Sequence, residues 1–300
     1  MPATATAPIG VFDSGIGGLS VLDALQQALP FERFVYLADN ACAPYGERSD
    51  AFVRARSQAI AAHLREAHGI KALVVACNTA TSVAIDALRR AHADLPFVGV
   101  EPALKPAAAA TRTRRVGVMA TRSTTASARF ARLLAAMPGN VTCVVQPCDG
   151  LADAIEHAAT GGLAAVASDT AVGALCTRYV DAMRPLGRDA GAMDTIVLGC
   201  THYVFARAAI AAAAGPAVRL LDTGGPVARQ TRRLLGRLQL LALPGDHRPE
   251  LLLTATDGTA RLHAITQDWR LRQPLRISTA LLAPLQAMAG SPSFTSPHHV

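Results

Sequence analysis

The sequence predicts an α/β protein built from two similar halves, and three observations carry that expectation. Residues 71–80 read Lys-Ala-Leu-Val-Val-Ala-Cys-Asn-Thr-Ala, and residues 195–203 read Thr-Ile-Val-Leu-Gly-Cys-Thr-His-Tyr. Each is a short apolar run that ends in a cysteine, followed by small polar residues and an Ala-rich helical pattern. Such a run, closed by polar punctuation, marks a strand buried on both faces of a parallel sheet. Its cysteine then stands at the carboxyl end of the strand, where open α/β sheets form their ligand crevice. A helix amino terminus there lowers a thiol's pKa. The third observation is length, since 300 residues exceed what one core usually serves.

Taken in order, Ile9–Phe12 is a short strand, and Asp13-Ser14-Gly15-Ile16-Gly17-Gly18 follows it directly, with helical periodicity over Leu19–Leu29. Strand, glycine turn and helix is the geometry in which backbone N–H groups hold an anion. The spacing fits neither the dinucleotide fingerprint nor the phosphate loop, which requires a lysine. Asp13 repels a simple phosphate, so it is expected to orient an ammonium group or a catalytic partner.

Phe34–Asp39 is a second strand, and Ser49 is suited to cap a helix reaching about His68. Tyr45, between Pro44 and Gly46, sits in a rigid turn suited to wall a small ligand, and Cys42 in the same loop has no echo elsewhere. After Cys77 a helix runs to about Ala93, then a strand over Phe97–Glu101, with Pro102 opening a new element. Arg115–Thr121 repeats the opening scheme and leads through Arg122–Ser127 into a helix. Val141–Val145 is a strand, Leu151–His157 and Leu163–Met183 are helical, and Cys200 follows the next strand. Val218–Asp222 and Leu251–Ala255 are the last strands, with a basic helix between them and another to about Leu271. Four strand ends of small polar character thus recur at Asp13, Cys77, Thr121 and Cys200. They assign residues 1–98 and 210–272 to a first domain, 99–209 to a second, and 273–300 to a loosely ordered tail.

A hydrophobic fraction of 51% with 17% charge describes a packed globular chain rather than a disordered one. No leader is visible at residues 1–8 and no apolar run reaches about 18 residues, so the expected location is cytoplasmic, without a membrane. The six cysteines are expected to be free thiols. The net charge of +7 is mostly arginine spread over helix faces, and aromatics make up only 4%, too few for single-strand stacking platforms. No nucleic-acid partner is required.

Two opposed thiols suit inversion of a stereocentre that bears an acidic hydrogen: one base removes the proton and an acid on the other face returns one. Asp13 and His202 are the candidates to manage those protons, one per half. Asn78, Thr79 and Thr201 are neutral donors for a carboxylate. A metal at Cys200 and His202 is the rival, but no CxxC pair supports it, so neither metal nor other cofactor is expected. The only lysines are Lys71, at a strand start, and Lys105, which disfavours pyridoxal phosphate.

These segments resemble glutamate racemases of the cofactor-independent aspartate/glutamate racemase superfamily. The matching residues are Asp13–Leu19, Ala38-Asp39 with Pro44-Tyr45-Gly46, Cys77–Ala80, Gly99–Pro102 and Leu198–Tyr203. The resemblance implies two doubly wound α/β domains related by pseudo-two-fold symmetry, with the active site between them. It makes Cys77 the base towards D-glutamate and Cys200 the base towards L-glutamate, with Asp13 and His202 assisting. Ser14, Tyr45, Gly46, Asn78, Thr79, Thr121 and Thr201 would join Asp13 and His202 in holding glutamate. The family's acid near the second thiol corresponds to Glu156, eight residues after Cys148, although Asp149 departs from the proline common there. Ala120 and Val204 are further departures, from the family's usual glycine and proline. A homodimer supplying D-glutamate for peptidoglycan is implied. The rivals are a racemase for aspartate or another amino acid, and a non-catalytic amino-acid- or nucleic-acid-binding protein.

Overall fold

The computed structural model describes residues 4–269, 271 and 275–280. Ten strands, β1 (Ile9–Asp13), β2 (Phe34–Ala38), β3 (Ala72–Val75), β4 (Phe97–Gly99), β5 (Arg115–Ala120), β6 (Thr142–Pro147), β7 (Thr195–Leu198), β8 (Arg219–Leu221), β9 (Leu251–Ala255) and β10 (Leu275–Thr279), form two sheets. Among the described residues these ten are all the strands, and every pairing between them is parallel. The first sheet has the order β10-β9-β2-β1-β3-β4 and the second β6-β5-β7-β8.

The internal duplication is visible in that topology. Within the first sheet β2-β1-β3-β4 has the same spatial order as β6-β5-β7-β8 in the second. Asp13 and Thr121 therefore end equivalent strands, β1 and β5, while Cys77 and Cys200 follow the equivalent strands β3 and β7. In this strand order the connections leave in opposite directions from the neighbouring first and third strands, which opens a crevice at their carboxyl ends. Each of the four residues flanks such a switch point.

Local chemistry accounts for the elements. All of β1, β2 and β3 is buried, as continuous apolar runs require of strands covered by helices on both faces. Helix Asp50–His68 begins where Ser49 Oγ accepts from Phe52 N (3.3 Å) and stops at Gly69, whose φ of 58° suits a residue without a Cβ. On one face of the first sheet Val53, Ile60 and Leu64 of this helix pack with Ala84 and Leu88 of helix Asn78–Ala91. On the other, Leu22 and Leu25 of helix Leu19–Ala28 join Val227 and Leu235 of helix Gly224–Arg237 in a cluster that runs on through Met119, Ile155 and Leu198 of the second lobe. Leu104 and Phe130 cover the second sheet's remaining face.

The structure differs from the sequence reading in three places. The chain returns to the first lobe later than residue 210: Arg219–Leu221 is paired into the second sheet beside β7, as the repeat demands, and Gly224–Arg237 is the first later element on the first lobe's helix Leu19–Ala28. The span Leu163–Met183 is two helices, Gly162–Ser168 and Thr170–Asp181, because Asp169 turns extended and its carboxylate accepts from Val172 N (2.8 Å). Leu275–Thr279, expected in the loose tail, is an edge strand of the first sheet; the rest of that tail lies outside the described residues, Ala280 apart. Among the described residues no single helix is long and apolar enough to cross a membrane.

Lys71 lies at the amino end of β3, opposite the crevice, where its side chain is fully buried and bonds Glu32 and the Ala5 carbonyl. Removing one partner of such a buried pair costs about 3 kcal/mol. Lys71→Met is therefore expected to lower the unfolding free energy by that amount, read as an earlier denaturation midpoint, while activity per folded molecule below the new midpoint stays unchanged.

Candidate active site

Around the two switch points the residues singled out in the sequence come together, and the glycine turn explains how. A Cβ on Gly15 would lie 2.2 Å from Glu156 Oε2, and one on Gly17 would lie 2.5 Å from His202 Nδ1 and Thr201 Oγ1. Only a bare backbone lets the first lobe approach the second this closely. The turn does hold anions, and they are the protein's own carboxylates. Ile16 N donates to Glu156 Oε2 (3.0 Å). Asp13 accepts from Ser14 N (2.8 Å), from Gly18 N and from Thr201 Oγ1 (3.2 Å).

On the first lobe's side Cys77 precedes helix Asn78–Ala91. Its sulfur accepts from Ala80 N (3.4 Å) and donates to Ser14 Oγ (3.8 Å). The helix end favours a thiolate, as the sequence predicts, but burial outweighs it. Desolvation and then the neighbouring Asp13 carboxylate push the Cys77 thiol well above its usual range. A charge on Cys200 would push it in the same direction. Burial likewise raises Asp13, against the pull of His202.

On the other side Cys200 Sγ lies 3.8 Å from His202 Nδ1, and His202 Nε2 lies 2.7 Å from Glu156 Oε2. Cys200 opens a short 3-10 turn, Thr201–Val204, before helix Arg207–Ala214, so its echo of Cys77 ends at the strand. Burial disfavours a charged imidazole, yet the hydrogen bonds to Cys200 and Glu156 prevail and hold His202 well above its ordinary pKa. Burial similarly opposes ionisation of Glu156, and the His202 hydrogen bond, its charge, the Ile16 amide and Arg261 overcome it.

The neutral residues line the seam. Thr79 Oγ1 and Thr121 Oγ1 meet across it at 3.1 Å, with Thr121 donating on to Thr124 Oγ1 (2.9 Å). Gly46 faces Thr121, which a Cβ on it would meet at 3.1 Å. Asn78 is buried, and both polar atoms of its side chain lack a hydrogen-bond partner. A buried amide with four open hydrogen-bonding sites is a place for a polar ligand. Tyr45 differs from the ligand wall that its turn suggests. It is 1% exposed, and its hydroxyl donates to Asp39 Oδ2 (2.6 Å) within the first lobe. Arg56 holds the same carboxylate through two bonds (2.7 and 2.6 Å). Between Pro44–Glu47 and Thr121–Arg122, extending to Cys148–Gly150, lies a cavity of about 20 Å³, room for one water.

Sequence reasoning did not single out Arg261 or the Asp39–Arg56 pair. Arg261 Nη1 lies 3.0 Å from Glu156 Oε1, 105 residues away along the chain, and no local pattern marks it. Cys42 lies in the turn Asn40–Cys42, its thiol raised by partial burial and then by Asp39. Among the described residues no three His, Cys, Asp or Glu side chains are placed to hold a metal ion.

Comparisons with known proteins agree on one family. The family model for Asp/Glu/Hydantoin racemases matches residues 9–231. The glutamate racemase of Herpetosiphon aurantiacus is 50% identical over 234 residues, covering 78% of this chain and 87% of its own. That of Pseudomonas entomophila is 46% identical over 264 residues, covering 88% and 94%. Among solved structures, Escherichia coli glutamate racemase in complex with L-glutamate and the activator UDP-MurNAc-Ala superposes with a TM-score of 0.74 at 31% identity, over 91% of this chain and 98% of that one. The matched span carries Asp13, Cys77, Glu156, Cys200 and His202, and the chain belongs to the Asp/Glu/Hydantoin racemase family.

Proposed function

We propose that this protein interconverts L- and D-glutamate, with Cys77 and Cys200 as the two proton-transfer groups. The observation that carries this reading is the pairing of buried thiols at equivalent strand ends, each beside a different proton-holding partner: Asp13 for Cys77, and His202 backed by Glu156 for Cys200.

In the L-to-D direction the Cys200 thiolate takes the α-proton and the electron pair of that C–H bond passes into the adjoining carboxylate. The Cys77 thiol gives its proton to the opposite face of the α-carbon, which forms the new C–H bond. Cys200 leaves as thiol and Cys77 as thiolate, the arrangement that D-glutamate requires. A return to the starting state exchanges protons with the solvent through Asp13 and His202. The raised pKa values of Cys77 and His202 support proton-bearing forms at neutral pH.

The substrate's carboxylates and ammonium group would meet Asn78, Thr79, Thr121, Thr201, Ser14 and the backbone of Tyr45–Gly46, since the Tyr45 hydroxyl is committed to Asp39. Burial of both thiols keeps water from the carbanion. No step in this scheme calls on a metal or other cofactor. With the family comes the expectation of a cytoplasmic homodimer whose D-glutamate enters peptidoglycan.

Purified protein in D₂O is expected to introduce deuterium at the α-carbon of either enantiomer while it racemises. Cys77→Ser and Cys200→Ser should each reduce racemisation by about 10²–10⁴-fold, the usual value of a positioned acid or base. Retention of full rates by either variant would exclude two-thiol catalysis. Glutamate is expected to turn over faster than aspartate in a polarimetric assay of both; the reverse order would identify a different substrate.

A further inference from the structure

We infer that Arg261 is a positioning residue for the proton chemistry at Cys200: from helix Ala260–Asp268, in the segment that follows β9 of the first sheet, it holds Glu156 of the second lobe and so completes the chain Arg261–Glu156–His202–Cys200. The inference rests on the two-thiol reading above and adds to it a residue beyond the matched family segment.

The geometry is that of a carboxylate fixed at both oxygens. Glu156 Oε1 accepts from Arg261 Nη1 (3.0 Å), while Oε2 accepts from Ile16 N (3.0 Å) and meets His202 Nε2 (2.7 Å). Ile16 lies in the turn after β1 of the first sheet, and Arg261 lies on helix Ala260–Asp268, which follows β9 in sequence and packs against residues 159–161 and helix Gly162–Ser168 of the second lobe. Glu156 lies on helix Leu151–Ala158 of that lobe. Asp268 Oδ2 accepts from Leu163 N (2.9 Å), which ties the helix that carries Arg261 to the second lobe beside Glu156.

The charges around the pair fix the sign of the effect. Glu156 faces His202, Arg261, the Asp13 carboxylate and the Tyr36 hydroxyl; His202 faces Glu156, Cys200 and Asp13. Loss of the guanidinium leaves the Glu156 carboxylate less stabilised, so it takes up a proton at higher pH. It also removes a positive charge near the imidazole, so His202 holds its proton to higher pH. If Cys200 works with ionised Glu156 and protonated His202, both limbs of the pH–rate profile move upwards together.

The test compares wild type with Arg261→Gln, and with Arg261→Lys, which keeps the charge. A second neutral variant, Arg261→Met, serves if the first does not fold. For the neutral variants the expected results are a fall of about tenfold in kcat with a smaller change in KM, since Arg261 does not touch substrate. Both limbs of the profile should rise by about half a pH unit to one unit, and so should the midpoint of the His202 imidazole resonance in a ¹⁵N-histidine titration. Arg261→Lys should restore the wild-type limbs. A lowered rate with unmoved limbs and an unmoved imidazole midpoint would overturn the inference and leave Arg261 a packing residue. Wild-type protein inactive on glutamate would overturn the racemase reading instead, and the imidazole titration would still decide for or against Arg261.

Discussion

The constraint on which the site depends is the approach of one bare stretch of backbone, Gly15–Gly18, to a buried Glu–His pair contributed by the other lobe. Glu156 is 3% exposed, and so is His202; a carboxylate so far from water persists only if its oxygens are bonded and its charge is met. The second lobe supplies His202, the turn after β1 supplies the Ile16 amide, and helix Ala260–Asp268 supplies Arg261. Any side chain at Gly15 would occupy the space of the carboxylate itself. The close approach of the lobes and the bonding of the Glu156 carboxylate thus depend on the same glycines.

How much of this was legible follows from whether each feature is local. Cys77 and Cys200 could be read directly because a thiol at the end of an apolar run is a property of ten consecutive residues. Asp13 and His202 stood in the same short stretches. Glu156 emerged only through the resemblance to known racemases, since nothing around it on helix Leu151–Ala158 distinguishes it from an ordinary helical glutamate. Arg261 was not legible at all: its partner lies 105 residues earlier, and only the folded pair of lobes brings them together. Tyr45 has a partner that its turn does not reveal: a buried phenol needs a hydrogen bond, and Asp39, itself held by Arg56, provides one inside the lobe.

The fold divides along the same line. The strands were recognisable from their apolar runs, but strand pairing is a long-range fact. Arg219–Leu221 reads equally well as a strand of either sheet. The equivalence of β8 with β4 settles the question, because a repeat of four strands is complete only when its fourth partner is in place. Among the described residues the two outer strands of the first sheet, β9 and β10, have no counterpart in the second sheet, and helix Ala260–Asp268 with Arg261 lies between them in sequence.

That unequal addition clarifies why two nearly equivalent thiols have unlike helpers. Duplication places a sulfur after the third strand of each half and a small polar residue after the first, but it makes Asp13 on one side and Thr121 on the other. A carboxylate beside Cys77 and a hydroxyl at the matching place leave the second half without an acid of its own at that strand end. The need is met from elsewhere, by His202 two residues past the thiol, by Glu156 behind it, and by a guanidinium from the segment that the repeat does not contain. Symmetry in the sheets accounts for where the sulfurs stand. The asymmetric groups around them set a carboxylate, Asp13, near one sulfur and an imidazole, His202, near the other.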